Sequence, residues 1–311
     1  MKIKPNTMDD ADLKYLKYWC FQMPKIDGVR SWNPDGTLLG RSMNPHENLY
    51  VTQLFSKPQY VGLDGEMVTV APNRPDCCRI TSGDLRRIKG EPNVCWFVFD
   101  LIDEESIRAT YKERLLYLEL YVYSLEDERV QVMPWMVVES EEEFLAIDAE
   151  LTANGMEGSI YRDPEGLYKE GRSTSKEATV VRLKGFVTEE ALVVGTIEGQ
   201  ENQNPAKKNA LGRTERSTCA EFMVPNGKIG SLICIKVPSV SEPWPHLSDI
   251  TEEDKFIVSA GAMPHDERER LFQHPEEILW GIIEFKHFPK GRKDKPRFPT
   301  FKRIRPRSDI E

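Results

Sequence analysis

The stretch Pro24-Lys25-Ile26-Asp27-Gly28-Val29-Arg30 sets a lysine at a tight turn between two apolar runs, with an acid and a cation close by in sequence. An amine there can act as a nucleophile only if it is neutral when it attacks, which its ordinary pKa near 10.4 opposes. Lowering that pKa to about 7 costs roughly 4 to 5 kcal/mol, a task for nearby cations or a metal rather than for burial alone. A K-x-D-G-x-R match arises by chance roughly once in a few hundred chains of average composition. Taken alone, it fits a solvated lysine beside an Asp-Gly turn as well as it fits a reactive amine.

Further groups follow in order: Asp64-Gly65-Glu66, Phe97-Val98-Phe99-Asp100, Glu157-Gly158 and Arg182-Leu183-Lys184. Singly, each acid reads as an ordinary solvated residue. Phe97, Phe99 and Leu101 alternate as one face of a strand, so periodicity alone assigns Phe99 to the core.

The elements that must position these groups are strands and tight turns in the first half. Phe21 to Met23, Val29 to Trp32, the Asn33-Pro34-Asp35-Gly36 turn and Thr37 to Gly40 form a predicted meander. Asp64-Gly65 opens a strand from Glu66 to Val70, and Val94 to Ile102 reads as a central strand. Tyr111 to Tyr121 has helical spacing. Ser140 with Glu143 supplies a capping box and Gly155 a stop, which predicts a helix between them. Short strands are expected over Glu157 to Arg162 and Thr179 to Phe186. Beyond Phe186 the pattern turns all-β, over 191–197, 230–237, 256–260, 278–288 and 300–304, which places a domain boundary near Val187 and gives domains 1–187 and 188–311. The polar stretch of about 199–228 is too long for an ordinary hairpin loop and is either disordered or functional.

Length and composition fit this plan. The 311 residues suit two domains. A mean hydropathy of −0.51, with no uncharged apolar run near the ~18 residues needed to cross a bilayer, excludes a spanning helix. No secretory signal is visible at the amino terminus, so an intracellular protein is expected. The six cysteines form no C-x-x-C pair, which argues against a zinc site or a disulfide framework.

The ordered set of motifs resembles the covalent nucleotidyltransferase superfamily of ATP-dependent DNA ligases, RNA ligases and mRNA capping enzymes. Within it the chain is most similar to the minimal, virus-encoded DNA ligases of the Chlorella virus type. Gly171-Arg172-Ser173-Thr174 with Lys176-Glu177, Gly90-Glu91-Pro92 and Pro296-Arg297-Phe298-Pro299 add to the resemblance, which runs from about Pro24 to Asp309. It implies an α+β fold: a nucleotidyltransferase (adenylation) domain of antiparallel sheets with helices, then an OB-fold β-barrel whose 199–228 insertion is a DNA-encircling latch.

The roles it implies are specific. Lys25 attacks the α-phosphorus of ATP and carries AMP as a phosphoramidate. Lys184, Arg182 and Mg²⁺ (or Mn²⁺) ease its deprotonation. Glu66 is a ribose and metal contact, Glu157 a metal contact, and Phe99 stacks on adenine. Met23 also lies in the nucleotide site. Arg30 and Arg41 touch the ribose or phosphates and the nick 5′-phosphate, with Asp27 and Asp64 near the joining step. In Ile304-Arg305-Pro306-Arg307-Ser308-Asp309, Arg305 and Asp309 act in nucleotide binding, where the motif orients the pyrophosphate leaving group. DNA contacts are expected from Arg41, Arg172, Lys207, Lys208, Arg213, Arg216, Lys286 and Arg297. Two positions depart from the pattern: Gly40 stands where a serine commonly precedes the arginine, and Arg182 where a lysine is usual. Arginine keeps the charge but cannot donate a proton in acid catalysis.

The implied function is sealing of 3′-hydroxyl/5′-phosphate nicks in duplex DNA, in replication, repair or recombination, by a monomer without a membrane partner. It would work in a bacterial cytoplasm or a virus-infected cell. The rivals are an mRNA guanylyltransferase and a non-catalytic nucleic-acid clamp. The net charge of −9 argues against a polyanionic partner only on average: Phe285 to Arg307 holds ten basic residues (Lys286, Lys290, Arg292, Lys293, Lys295, Arg297, Lys302, Arg303, Arg305, Arg307) against one acid, Asp294. Clustered cations of this kind are what phosphate neutralisation requires.

Overall fold

The computed structural model describes residues 4–210, 212–237, 245–288 and 295–305. The chain divides into two compact units, Met1–Gly185 and Phe186–Glu311.

The first unit contains β1 (Asn6–Met8), β2 (Cys20–Pro24), β3 (Val29–Trp32), β4 (Leu39–Gly40), β5 (Leu63–Val68), β6 (Cys95–Leu101), β7 (Val130–Val132), β8 (Met136–Val138), β9 (Gly158–Arg162), β10 (Gly171–Ser173) and β11 (Val180–Lys184). Two sheets dominate, one in the order β4-β3-β5-β6-β7 and one in the order β11-β9-β2-β8. Their pairs are antiparallel except β6 with β7, and β1 pairs with β10 in parallel. The four residues 25–28 pass from β2 in one sheet to β3 in the other, so the lysine motif is the link between the sheets.

Four helices pack on this frame: α1 (Leu49–Phe55), α2 (Cys77–Arg86), α3 (Tyr111–Leu125) and α4 (Glu141–Ala153). Phe55 of α1 meets Tyr60 and Trp96 edge-on, each at 5.3 Å between ring centroids, and all three are buried. A full capping box forms at α3, where Thr110 and Glu113 bond each other's backbone amides. At α4, Ser140 caps as expected, but Glu143 accepts from the amide of Glu139 at 2.8 Å, one residue before the cap, so the reciprocal half of the expected box is absent. The sequence reading did not find α1 or α2. The first is only seven residues long, and Gly83 and two β-branched residues interrupt the second.

The second unit is all-β apart from α5 (His265–Gln273) and short 3₁₀ turns. Its strands are β12 (Val187–Asn202), β13 (Ala206–Lys208), β14 (Thr214–Arg216), β15 (Met223–Lys236), β16 (Phe256–Ser259), β17 (Ile282–Phe288) and β18 (Arg297–Arg305). Five of them close into a barrel in the order β12-β15-β16-β18-β17, with β16 and β18 parallel. Counted along the chain this is 1-2-3-5-4, the Greek-key closure of an OB-type barrel. Val193, Leu232, Cys234, Val258, Ile283 and Phe285 fill its interior. β12 and β15 stay paired well past the barrel, out to Asn202 opposite Met223, and β13 and β14 form a hairpin beyond. The polar 199–228 stretch is therefore a β-ribbon extension of the barrel wall, ordered by the ladder rather than by a core.

Candidate active site

Backbone bonds fix the lysine first. The amide of Lys25 donates to the carbonyl of Gly158, and the amide of Glu157 donates to the carbonyl of Lys25, both at 2.9 Å. This brings the end of β2 against the start of β9, whose other edge is β11. Gly158 has φ +135°, and a Cβ there would fall on the carbonyl of Leu183, so only glycine lets β9 and β11 come this close. Three strand ends therefore deliver Lys25, Glu157 and Lys184 to one point. One Glu157 carboxylate oxygen pairs with Lys25 Nζ and the other with Lys184 Nζ, the latter at 2.5 Å. Burial pushes the Glu157 pKa up, but the two ammonium groups outweigh it and hold the carboxyl below its ordinary value. For Lys184, burial lowers the pKa, with Lys25 and Arg182 acting in the same sense against Glu157.

The other sheet supplies the opposite wall. Arg30 on β3 forms a two-point pair with Asp64 on β5, with Nε to Oδ1 at 2.5 Å. Burial raises the Asp64 pKa, and Arg30 opposes the rise. Glu66 lies opposite Arg30 in the ladder. Burial, reinforced by Asp64 and Asp27 and opposed by Lys25 and Arg30, pushes its carboxyl up to about 7. Phe99 corrects the periodicity reading. On β6 the fully buried face is Trp96, Val98 and Asp100, while Phe97 and Phe99 are half-buried. The Arg30 guanidinium sits 4.9 Å from the centre of the Phe99 ring.

Beside Phe99 lies a buried network that the sequence reading missed, and its Arg162 guanidinium sits 5.3 Å from the centre of the Phe99 ring. Asp100 takes both Nε and Nη2 of Arg114, at 2.7 and 3.1 Å, and Nη1 of Arg162 at 3.3 Å. The Tyr111 hydroxyl donates to the Phe99 carbonyl at 2.8 Å. The one available signal was an aspartate at an inward position of an apolar strand, since a buried carboxylate requires a cationic partner.

Met8, Met23, Pro24, Lys25, Ile26, Arg30, Glu66, Phe99, Met133, Ile160 and Arg162 line a cleft. An aromatic and methionine-rich wall suits a flat ring, and cations at the lysine end suit phosphates. Among the described residues no three metal-ligating groups converge. Two carboxylates, Glu66 and Glu157, nevertheless fit Mg²⁺, which keeps several waters and takes phosphate oxygens.

Other expected site residues are not among those that line this cleft. Asp27 lies in the link between the sheets and Arg41 is exposed just after β4. Arg172 pairs with Asp9 at 3.2 Å and Arg182 with Asp10 at 2.7 Å. In the second unit Arg305 pairs with Glu190 at 2.6 Å. Lys207, Lys208, Arg213 and Arg216 are exposed on or beside the β13–β14 hairpin. Lys286 and Arg297 lie over the rings of Phe186 and Phe298 at 5.0 and 5.2 Å. Asp309, like Lys290, Arg292, Lys293, Asp294 and Arg307, lies outside the described residues.

A two-sheet unit with a lysine at the inter-sheet link, followed by an OB-type barrel, is the architecture of a nucleotidyltransferase domain joined to an OB domain. Residues 42–178 match the family model described as ATP dependent DNA ligase domain. The matched span includes Asp64, Glu66, Phe99, Glu157 and Arg172 and begins after Lys25. A solved structure of a minimal-scaffold Lig E DNA ligase aligns over 97% of this chain and 99% of its own, at 18% identity and a TM-score of 0.68. A Chlorella virus DNA ligase–adenylate structure aligns over 98% and 99%, at 24% identity and a TM-score of 0.51. Likenesses at these identities establish the fold. No curated protein matches the chain in sequence.

Proposed function

We propose that the protein is an ATP-dependent DNA ligase that seals nicks bearing 3′-hydroxyl and 5′-phosphate ends. The observation that carries this reading is the meeting of Lys25, Glu157 and Lys184 at one end of a cleft whose far wall is Phe99. In the first step the lone pair of Lys25 Nζ forms a P–N bond to the α-phosphorus of ATP as the bond to pyrophosphate breaks. The 5′-phosphate of the nick then displaces the lysine, and the 3′-hydroxyl displaces AMP to form the phosphodiester. A nitrogen carrier suits this relay, because protonation as it leaves makes the P–N bond labile.

Glu157 holds the amine in place, and Lys184, whose burial eases loss of a proton, contributes positive charge beside it. Glu66 and Glu157 would hold Mg²⁺, which when bound supplies charge neutralisation at the phosphates. Arg30, anchored by Asp64, is placed for the ribose or phosphate oxygens. Arg41, Arg172, the 207–216 hairpin and the β17–β18 cations would meet DNA, with Asp27 near the reacting 3′ end.

Incubation with α-labelled ATP and Mg²⁺ tests the first step: label should appear on the wild type and be absent from Lys25→Ala. GTP in place of ATP tests the guanylyltransferase alternative, for which it should be the better donor. Joining of a nicked duplex tests the whole reading. Adenylylation without joining would reduce it to nucleotide transfer alone.

A further inference from the structure

Among the described residues, Arg162 has a donor that no other residue meets. It lies on β9 two positions beyond Ile160, on the same strand face, and β2 places Met23 opposite Ile160 and Phe21 opposite Arg162. Moving away from Lys25, the cleft wall therefore presents Ile160 and then Arg162. The arginine is 6% exposed. It rests 4.4 Å from the centre of the Tyr111 ring, with Nη1 on Asp100. Its Nε is buried and has no hydrogen-bond partner among the described residues. Arg114, equally buried and bound to the same Asp100, places Nε and Nη2 on that carboxylate and Nη1 on the Ala109 carbonyl. The unmet Nε is thus particular to the arginine that lines the cleft.

A guanidinium is permanently charged and can only donate. A buried N–H without an acceptor bears its full desolvation cost. Met8, Met23, Met133 and Ile160 of the same cleft offer no strong acceptor side chain, and the Glu66 carboxylate makes no hydrogen bond to Arg162 Nε, so a ligand seated in the cleft can bring the acceptor. We propose that Arg162 is a nucleobase-binding residue, whose Nε–H donates to a ring nitrogen of the purine seated against Phe99. This rests on the reading of the cleft as an ATP site. The phosphates occupy the lysine end, which leaves the base on the Ile160–Arg162 side. The exocyclic amine of adenine is a donor and is repelled by a donor-only cation. The ring nitrogens N1, N3 and N7 are the acceptors.

The test uses the full chain with ATP, 1-deaza-ATP, 3-deaza-ATP and 7-deaza-ATP, and reads the lysyl-nucleotide adduct by intact mass against nucleotide concentration. For the wild type, one analogue should need about tenfold more nucleotide for half-saturation than ATP, the scale of a hydrogen bond to a charged group. In Arg162→Met and Arg162→Lys, ATP should weaken by a similar factor and the penalised analogue should fare no worse than ATP. The lysine variant keeps a cation beside Asp100, so the comparison survives if the methionine variant does not fold. Three analogues equal to ATP in the wild type, or a penalty that persists in a folded variant, would overturn the proposal. Failure of the wild type to form any adduct with ATP overturns the ligase reading itself, a different result from equal use of all four nucleotides.

Discussion

Lys25 and Glu157, 132 positions apart, are joined twice, by the Glu157 amide on the Lys25 carbonyl and by an ion pair between their side chains. The backbone bond fixes where the turn sits and the ion pair fixes where the amine points. Glu157 also holds Lys184, so one acid sets the positions of two cations that would otherwise repel.

Glu157→Gln should therefore cost both activity and stability. Adenylylation should fall at least tenfold, because a neutral amide neither orients the amine nor binds a divalent cation as tightly. Removing one member of a largely buried ion pair costs roughly 3 kcal/mol. The wild-type carboxyl has a folded pKa below its ordinary value of 4.5, so its contribution is full above 4.5 and is lost as pH falls through the depressed value. Thermal melts should show a gap between wild type and variant at pH 7 that narrows on acidification. An equal gap at all pH values would contradict the assignment.

Glu66 should behave with the opposite sign. Its folded pKa is raised to about 7 from 4.5, so the folded protein holds that proton more tightly than the unfolded chain. Stability associated with Glu66 is present below about 4.5 and is lost as pH rises towards 7. Glu66→Gln, which mimics the protonated acid, should leave the melting temperature near that of wild type at pH 4.5 and raise it at pH 8. Adenylylation should fall in the same variant, a stability gained at the expense of a strained functional group.

The Arg30–Asp64 pair gives a third measurement. Asp64 is 1% exposed, and its removal leaves a mostly buried guanidinium without a counter-charge. Asp64→Ala should destabilise the protein by about 3 to 5 kcal/mol in urea unfolding, whereas Arg30→Leu with Asp64→Leu should recover much of that stability. Nucleotide labelling should fall in both, since the double variant restores packing but not the cation.

Much of this arrangement was legible in the sequence. Lys25, Glu66, Phe99, Glu157 and Lys184 were singled out through the resemblance that their ordered motifs carry, and β2, β9 and β11 were placed near their observed limits. What was not legible depends on tertiary partners. Phe99 alternates along its strand as a core residue would, and the partners of its neighbour Asp100, namely Arg114 and Arg162, come from other elements of the fold. Arg162 stands out only through the acceptor it lacks, which a sequence cannot display. The capping box at Thr110-x-x-Glu113 was as visible as the one expected at Ser140, yet at Ser140 the upstream amide of Glu139 captured the carboxylate. The 199–228 ribbon has too few apolar residues to read as strand, because its order comes from the β12–β15 ladder continuing beyond the barrel core.

That ribbon leads to the final prediction. The β13–β14 hairpin has Lys207 and Lys208 on one strand, Arg213 just before the other and Arg216 at its end. Arg216 is partly committed to the structure through the Asn204 carbonyl. Lys207, Lys208 and Arg213 are exposed, so their reversal to Glu changes surface charge. Lys207 lies opposite Glu215 and Lys208 Nζ donates to Thr214, so a circular-dichroism spectrum checks that the variant is folded. For every phosphate that a cation no longer neutralises, the slope of log affinity against log salt should fall by about 0.9. Reversing all three should thus reduce the slope by roughly 2 to 3 and weaken binding of nicked duplex at low salt. Lysine adenylylation should be unchanged, because the cleft lies wholly in the first unit. An unaltered salt slope would place the DNA-binding cations elsewhere, at Lys286 and Arg297 or at Arg41 and Arg172. Failure of adenylylation in the same variant would mean that the hairpin serves the nucleotide step as well.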